Sequence, residues 1–427
     1  MLHITKITDD YANTITSLLK RNLNKEELKN KLDKVISLNN LRKTNQNEND
    51  ALKAKMKEFS DKIGISFKSG NKEEAEKLKI EVNEIKSRSK ILDDTMKDIL
   101  SEIDEILLTI PNVPHDLVPP GNSENDNFIY KNWSGKLPEF GEKGMTHWEL
   151  AKKYNLIDFE LGAFITGSGF PLFRGKGSKL ERALINFFLD EAEAAGYEEI
   201  IPPYMVNEDS ARATGQLPDK EGQMYFVERD NLYLIPTAEV PLTNIFRDSI
   251  LQESELPVKV TGYTPCFRRE AGSYGAHVKG LNRVHQFDKV EIVQISDPSN
   301  SYHILDEMVS HAEKILIKLE LPYRIVRLCG GDLGFTSAMT YDFEVYSGGQ
   351  KRWLEVSSVS NFETFQSNRM KLRYKDKEGK IRLTHTLNGS ALALARIVAA
   401  ILENNQTPEG IKVPDALKKY LNFEIIN

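Results

Sequence analysis

Residues 258–295 read VKVTGYTPCFRREAGSYGAHVKGLNRVHQFDKVEIVQI, and this stretch predicts most about the fold and its chemistry. Apolar and polar residues alternate near both of its ends, which predicts two β-strands joined by a glycine-rich polar loop. An antiparallel pairing would bring Arg268 near Phe287 and Glu291. A guanidinium suits a phosphate, an aromatic face suits a purine, and a carboxylate suits an ammonium or hydroxyl group. The same pattern is also typical of a surface hairpin with an ordinary Arg–Glu cross-strand pair.

A third predicted strand lies at residues 353–358, WLEVSS. Strand alternation would place Glu355 and Ser357 on one face. An acidic residue near phosphates commonly holds Mg²⁺, so Glu355 is a candidate metal ligand. A solvated strand face is the alternative interpretation.

A single arginine interrupts an apolar run near the C-terminus. Residues 384–390, THTLNGS, precede residues 391–402, which are apolar except for Arg396. We predict a buried helix over 391–402, with Gly389 and Arg396 on one stripe because they are seven residues apart. A guanidinium in such a helix is costly unless it is paired with an anion. That anion is either a bound phosphate or a structural carboxylate.

Heptad spacing dominates the N-terminal quarter of the chain. The repeat is formed by Leu78, Val82, Ile85, Ser89, Leu92, Met96, Ile99, Ile103 and Ile106, with one polar interruption at Ser89. Leu28, Leu32, Val35, Leu52, Met56, Phe59 and Ile63 are spaced similarly upstream. We predict an antiparallel coiled-coil hairpin that turns within 66–71 and has a second helix from about Lys72 to Leu107. A dimerising coiled coil or a helical bundle would show the same spacing.

Composition narrows the class of protein. The chain has 427 residues and a formal net charge of −6, which argues for two domains and, taken alone, against nucleic-acid binding. However, residues 21–110 contain 19 Lys or Arg and 18 Asp or Glu, so the predicted hairpin is nearly neutral and dense in cations. Cys266 and Cys329 are too few for a disulfide framework or a multi-cysteine zinc site, and we expect a soluble, intracellular protein.

Several strings together resemble the class II aminoacyl-tRNA synthetases, and within them the seryl-tRNA synthetase family. The strings are FRREAGS at 267–273, VHQFDKVE at 284–291, TAE at 237–239, LNGSALA at 387–393 and LTIPNVP at 108–114. The resemblance implies an α+β fold, in which a tRNA-binding coiled-coil arm (1–110) precedes a catalytic antiparallel sheet flanked by helices (111–427). It also implies a homodimer, whose interface includes a helix from about Lys179 and a strand ending at Pro203.

The resemblance further implies an activity. The family activates L-serine with ATP to seryl-adenylate, using Mg²⁺ and no structural zinc, and transfers serine to tRNA(Ser) and tRNA(Sec). It implies a cytoplasmic enzyme that does not bind membranes. The implied ATP-binding residues are Arg268, Arg269, Glu270, Val284, Phe287, Glu355, Val356, Ser357, Ser358 and Arg396. The implied serine-binding residues are Thr237, Ala238, Glu239, Glu291, Asn388 and Ser390.

Individual roles follow from the same resemblance. Arg268 and Arg396 are the implied catalytic cations, at the α- and γ-phosphates respectively. Phe287 would stack on the base, Glu270 would lie near the adenine and the Val284 backbone would hydrogen-bond it. Glu355 would hold Mg²⁺ and Ser358 a phosphate. Thr237 and Glu239 would contact the amino-acid head group, and Glu291 and Ser390 its side chain.

One departure from the family pattern lies in the loop between the first two strands. Related enzymes commonly have Arg-Asp-Thr-Arg where this chain has Ala276-His277-Val278-Lys279. We hypothesise altered transfer to tRNA rather than lost adenylation.

Two rival functions remain open. One is a non-catalytic serine- or tRNA-binding paralogue, which should lose ATP contacts. The other is a ligase that loads a carrier protein, which should lack the arm.

Overall fold

The computed structural model describes residues 1–219, 221–271 and 278–427. These residues form two compact units. One unit comprises Leu2–Leu19 and Leu23–Pro111, and the other comprises Met1, Lys20–Asn22 and Asn112–Asn427.

The first unit is helical. Its helices are α1 (Ile4–Asp9), α2 (Tyr11–Leu19), α3 (Lys25–Lys68) and α4 (Lys72–Leu107). Helices α3 and α4 form the predicted antiparallel hairpin, but the turn between them is shorter than the sequence predicts. Residues 66–68 stay helical because the Ser69 N–H still donates to the Ile65 carbonyl at 2.9 Å. Gly70 then turns the chain at φ +81°, and the Asn71 side chain caps α4.

The seam between α3 and α4 follows the predicted heptad. The buried residues of α4 are Ala75, Val82, Ser89, Leu92, Ile99, Ile103 and Leu107. The predicted polar interruption is a paired layer, because the Ser89 hydroxyl donates to the buried Asn49 side chain at 2.6 Å. Asn49 in turn donates to Asp93 at 2.6 Å. A layer of this kind favours one register of the two helices.

The second unit is built on a mainly antiparallel sheet. Its helices are α5 (His147–Lys153), α6 (Phe159–Ile165), α7 (Lys176–Ala194), α8 (Glu208–Thr214), α9 (Glu239–Asn244), α10 (Ser301–Lys318), α11 (Thr364–Met370) and α12 (Leu394–Asn404). Its strands are β1 (Phe128–Lys131), β2 (Ile157–Asp158), β3 (Leu172–Phe173), β4 (Glu198–Glu199), β5 (Met205–Asn207), β6 (Phe226–Val227), β7 (Leu232–Leu234), β8 (Ile250–Gln252), β9 (Val258–Phe267), β10 (Gln286–Ser296), β11 (Tyr323–Arg327), β12 (Met339–Ser347), β13 (Arg352–Asn361), β14 (Arg373–Lys375), β15 (Ile381–Leu383), β16 (His385–Ala393), β17 (Gln406–Thr407), β18 (Gly410–Lys412) and β19 (Ile425–Ile426).

Within the described ranges, the largest sheet has the strand order β1-β11-β12-β13-β16-β10-β9-β4. Its neighbouring strands are antiparallel except for the short β4, which runs parallel to β9. Apolar residues of α7, α10 and α12 pack on this sheet to form the main core. The predicted α+β class is therefore confirmed. None of the helices in the described ranges is long and apolar enough to cross a membrane.

Strands β9 and β10 form the predicted antiparallel pair. Phe287 lies opposite Cys266, and Glu291 lies opposite Gly262. Side chains alternate along β10, so Val290 and its neighbours at 288 and 292 face away from Phe287, Lys289 and Glu291. Val290 belongs to the main core, whereas the other face of β10 is free to line a site.

The structure corrects the prediction around Arg396. Residues 391–393, predicted to begin the helix, instead end the inner strand β16 (His385–Ala393), and α12 begins only at Leu394. Gly389 therefore pairs with Ile292 in the sheet and shares no helical stripe with Arg396. An apolar run is compatible with either a buried strand or a buried helix, and this run contains one of each.

Two further strand predictions need correction. Glu344 pairs with Glu355 whereas Phe343 pairs with Ser357, so a bulge at Val356 separates Glu355 and Ser357 onto opposite faces. Ser358, opposite Asp342, shares the face of Glu355 instead.

The strand predicted to end at Pro203 stops earlier. Only Glu198–Glu199 pairs with β9, and Met205–Asn207 pairs with β7 in a separate sheet. Pro202 and Pro203 interrupt the run because a proline nitrogen cannot donate to a ladder.

Candidate active site

A polar cavity of about 470 Å³ lies over the exposed face of the central strands. It is lined by residues of β10, β13 and β16, the start of α12 and the segments before α9 and after β9. The predicted site residues that line it are Thr237, Glu239, Arg268, Glu270, Val284, Phe287, Glu291, Glu355, Val356, Ser357, Ser358, Asn388, Ser390 and Arg396. Residues from distant parts of the sequence thus meet in one site.

Two predicted site residues lie outside this lining. Ala238 is fully buried in an apolar cluster with Leu242, Val260 and Val293. Arg269 is the other, and its backbone N–H donates to the Gln223 carbonyl at 2.9 Å.

One end of the cavity combines guanidinium groups with an aromatic ring. The Arg268 guanidinium carbon lies 5.3 Å from the centre of the Phe287 ring, and its Nε donates to the Pro236 carbonyl at 3.3 Å. Glu270 forms an ion pair with Arg283 at 2.8 Å. This end offers a planar ring and fixed cations, which suit a nucleotide base and its phosphates.

Arg396 reaches the same end from the first turn of α12. Its Nε donates to the Asn282 carbonyl at 3.0 Å and its Nη1 donates to the Glu355 carbonyl at 2.6 Å. The Glu355 carboxylate lies farther away, at 3.7 Å. The contacts that hold the guanidinium are thus mainly carbonyls, so its positive charge is available to a phosphate.

A buried hydrogen-bonded pair supports the segment that contacts Arg396. His147 and Glu403 are both fully buried, and His147 Nδ1 lies 2.7 Å from the Glu403 carboxylate. His147 Nε2 accepts a hydrogen bond from the Leu281 N–H at 2.8 Å, which places Asn282 beside Arg396. Burial raises the pKa of Glu403, but hydrogen bonds from His147 and Ser347 outweigh it, so the pKa lies below its usual range.

Hard oxygen donors converge beside Arg396 and fit a divalent cation. Glu355 and Ser358 share a strand face with Asp342 of the neighbouring strand. Burial and, next, the charge of Glu355 raise the pKa of Asp342 well above its usual range. Within the described ranges the Asp342 Oδ1 is buried without a hydrogen-bond partner, as expected where a cation would complete the site. No group of three or more His, Cys, Asp or Glu residues that could hold a metal occurs in those ranges.

The other end of the cavity is a buried hydrogen-bonded network. Lys289 forms an ion pair with Glu291 at 2.6 Å and donates to the Thr237 hydroxyl at 2.8 Å. The Thr237 hydroxyl donates to Glu291 at 3.1 Å and accepts from the Glu239 N–H at 3.2 Å. All four residues are buried. Within the described ranges, the Glu239 carboxylate forms no ion pair with this network or with any other cation.

Glu239 is held by neutral groups. Its carboxylate accepts from the Gln366 amide at 2.6 Å, and Gln366 accepts in turn from the Thr386 hydroxyl at 2.7 Å. Burial first, and then the charge of Glu291, raise the pKa of Glu239 to about 7. A carboxylate in this setting suits a small cation such as a primary ammonium.

Sequence reasoning missed four residues of this site. Lys289, Asn282 and Arg283 line the cavity, and Gln366 binds Glu239. Lys289 had a signal, because it alternates with Phe287 and Glu291 on the predicted strand face. A lysine on a strand is usually solvated, so only the fold reveals that this one is buried.

Half of the departure in the loop lies outside the described residues, namely Ala276 and His277. Val278 and Lys279 are described, and the Lys279 ammonium lies 4.8 Å from the centre of the Trp148 ring.

Comparison with known proteins agrees with this geometry. The model of the seryl-tRNA synthetase N-terminal domain matches residues 1–114, and that of the tRNA synthetase class II core domain (G, H, P, S and T) matches residues 225–405. The chain is 46% identical to serine–tRNA ligase of Salinibacter ruber over 99% of its length and 98% of the relative. It is 47% identical to serine–tRNA ligase of Methylacidiphilum infernorum over the full length of both chains. The chain belongs to the seryl-tRNA synthetase family.

A solved family member has the same fold over the whole chain. The crystal structure of seryl-tRNA synthetase from Pyrococcus horikoshii complexed with ATP matches with a TM-score of 0.92 and 34% identity, covering 100% of this chain and 99% of that one. The implied family and enzyme class are therefore confirmed: the chain is an aminoacyl-tRNA synthetase, a ligase. The roles of individual site residues stay predictions.

Proposed function

We propose that this protein activates L-serine with ATP to form seryl-adenylate and then transfers the serine to tRNA(Ser). One observation carries the proposal. A single cavity has one end lined by Arg268, Phe287 and Arg396 and a buried end lined by Glu239 and Glu291. The first end suits a nucleotide, and the second suits a small amino acid with an ammonium and a hydroxyl group. The family relative crystallised with ATP supports the nucleotide assignment.

The nucleotide half would act by charge placement. One oxygen of the serine carboxylate attacks the α-phosphorus of ATP, a P–O bond to the β-phosphate breaks, and pyrophosphate leaves with the bonding electrons. Negative charge builds on the phosphate oxygens, and the guanidinium of Arg268 would stabilise it at the α-phosphate. Arg396 would hold the γ-phosphate end, with Phe287 stacked on the base. No covalent nucleophile is required, so Cys266 stays a core residue.

Magnesium belongs to the same proposal. Glu355 would hold the ion and Ser358 would bind a phosphate, and the ion, when bound, would supply charge neutralisation on the ATP phosphates. The oxygen donors on this strand face and the buried Asp342 oxygen support this assignment.

The serine half would discriminate through hydrogen bonding. Glu239 with Thr237 would bind the ammonium, and Glu291 with Ser390 would bind the side-chain hydroxyl. Alanine and glycine would leave buried polar groups unpaired, which typically disfavours such substrates by roughly 10⁴-fold. Threonine keeps the hydroxyl and would have to be excluded by its additional methyl group.

The transfer step and the assembly are inferred from the family. The arm over residues 1–110 would contact the tRNA, tRNA(Sec) would be charged as well as tRNA(Ser), and the catalytic domain would cover residues 111–427. A homodimer would use the segment around Pro203, where Ile201 and Met205 are exposed apolar side chains. Light scattering is expected to give twice the mass of the chain, and a monomer at micromolar concentration would reject the dimer.

The decisive experiment is ATP–pyrophosphate exchange with a panel of amino acids, followed by charging of tRNA(Ser) and tRNA(Sec). We expect exchange that depends on serine and charging of both tRNAs. Serine or tRNA binding without exchange would indicate the non-catalytic paralogue, and exchange without charging would favour a carrier-protein ligase.

For the altered loop, grafting Arg-Asp-Thr-Arg at 276–279 should change charging more than exchange. Equal effects on both would reject that hypothesis.

A further inference from the structure

Lys289 is the one cation within the buried end of the cavity among the residues that the structure describes there. Its ammonium contacts the Glu291 carboxylate at 2.6 Å and the Thr237 hydroxyl at 2.8 Å. Its side chain is 7% exposed and that of Glu291 is 2% exposed, so water scarcely screens the pair. Lys289 therefore links the residue proposed to bind the hydroxyl with a residue proposed to bind the head group.

The charges at the buried end of the cavity balance the ammonium of serine only when Lys289 is counted. Glu291 and Glu239 are two buried carboxylates facing one cavity, and serine brings a single ammonium to them. Lys289 compensates Glu291, which leaves one negative charge, on Glu239, for one incoming positive charge. The other groups around Glu239 are the neutral amides of Gln366 and Asn388. Arg268 also lines the cavity, and its guanidinium lies beside the Phe287 ring.

We propose that Lys289 is a positioning residue for serine selection, which holds Glu291 toward the substrate hydroxyl and leaves Glu239 to bind the ammonium. The inference rests on the proposed function. Without Lys289, Glu291 would be an uncompensated buried carboxylate that competes for the ammonium and repels Glu239. Serine would then lose both its orientation and the hydrogen bond that distinguishes it from alanine.

The two possible roles of Lys289 predict different kinetics. A lysine that only stabilises the fold would affect serine and ATP alike when it is removed. A positioning lysine would affect the KM for serine, the discrimination against alanine and the pH dependence of serine binding, while the KM for ATP stays nearly constant. The pH dependence is informative because Lys289 lowers, and Glu291 raises, the pKa of Glu239.

The test is ATP–pyrophosphate exchange with Lys289→Met, which keeps the length of the side chain and removes its charge. We expect the KM for serine to rise at least tenfold, the KM for ATP to change less than twofold, and the serine-over-alanine ratio in kcat/KM to fall at least tenfold. The pH below which the serine KM rises should move upward. Lys289→Arg should recover part of the affinity, because it restores the charge.

A second variant keeps the test decisive if Lys289→Met folds poorly. Lys289→Met combined with Glu291→Gln removes both charges, so the pH profile should return toward that of the unmodified protein while discrimination against alanine stays low. Lys259→Met is the matched control, since Lys259 lies on the adjacent strand β9 and does not line the cavity. This control variant is expected to leave the KM for serine, the KM for ATP and the serine-over-alanine ratio in kcat/KM unchanged.

The outcomes separate this inference from the proposed function. If the unmodified protein shows no serine-dependent exchange, the function itself fails. If it shows exchange and Lys289→Met keeps the same serine KM, alanine discrimination and pH profile, only the role of Lys289 is rejected. A proportional loss for serine and ATP would likewise reject positioning in favour of a structural role.

Discussion

Glu239 and Glu291 lie in the same buried end of one cavity, yet their surroundings give them different properties. Glu291 contacts an ammonium and a hydroxyl group, whereas Glu239 contacts neutral amides. Two residues of one type can therefore take different roles because of their neighbours alone.

The raised pKa of Glu239 predicts a pH dependence for serine binding. Burial raises this pKa to about 7, so the free protein holds the carboxyl protonated at lower pH. An ammonium requires the ionised form, and serine affinity should fall about tenfold for each pH unit below 7. The KM for serine in pyrophosphate exchange, measured from pH 5.5 to 8.5, checks this, with the KM for ATP as the control. A serine KM that stays constant across this range would contradict the assignment.

The same shift predicts a pH dependence of stability. The folded state binds the Glu239 proton more tightly than the unfolded state, so this contribution is complete below about pH 4.5 and is lost as pH rises through about 7. Serine should offset the loss, because it pairs the ionised carboxylate.

Replacement of Glu291 tests the hydroxyl-binding assignment. Glu291→Ala removes the acceptor proposed for the serine hydroxyl and leaves Lys289 without its carboxylate. We expect kcat/KM for serine in pyrophosphate exchange to fall by at least 10²-fold, while ATP affinity measured by calorimetry changes little. Unchanged serine-dependent exchange would remove Glu291 from the serine site.

At the scale of secondary-structure elements, hydrophobic periodicity predicts a regular helix or strand correctly, and it fails where the element contains a bulge. The heptad of α4 correctly predicts a long helix with one buried face. The strand period fails at Val356, because the bulge there places Glu355 and Ser357 on opposite faces. A bulge depends on the partner strand and leaves no trace in the local pattern.

The polar layer of the hairpin gives a prediction at this scale. Asn49→Leu leaves the Ser89 hydroxyl without its acceptor in a buried seam, which should lower the free energy of unfolding by about 1–3 kcal/mol. Asn49→Leu with Ser89→Leu should recover most of that loss, because both polar partners are then replaced by apolar ones. Urea unfolding followed by circular dichroism checks this, with Ser87→Ala on the exposed face of α4 as the control. Additive losses in the double variant would contradict a paired layer.

At the scale of the whole molecule, the distribution of charge matters more than its sum. The net charge of −6 argues against nucleic-acid binding, yet residues 21–110 contain 19 cations, and all of them except Arg21 lie on α3 and α4. A phosphate backbone responds to charges within a Debye length of about 8–10 Å, so local cation density is the relevant quantity.

The proposed role of the arm is tested by removing exposed lysines. Lys86→Ala with Lys90→Ala should raise the KM for tRNA several-fold and reduce its salt dependence, while serine-dependent pyrophosphate exchange stays unchanged. Lys375→Ala with Lys377→Ala, on β14 and just after it, removes the same charge from the other unit and should leave tRNA charging unaffected. An equal loss of exchange in the Lys86/Lys90 variant would count against a role confined to tRNA.

The sequence by itself determined the features that depend on local spacing and short strings. The hairpin, the β9–β10 pair and the family resemblance all follow from residues close together in the chain, because periodicity and turn chemistry act over a few residues. Most of the candidate site residues were also named from such strings, and they do line one cavity.

Tertiary structure alone decided which charged side chains are buried and what they contact. Lys289 and Gln366 join the site because β10, α9, α11 and β16 converge there, and Ser358 replaces Ser357 beside Glu355 because of a bulge. The boundary between β16 and α12 was likewise set by pairing in the sheet, since an apolar run fits a strand or a helix equally well. Burial and long-range pairing are properties of the packed chain, and no local pattern encodes them.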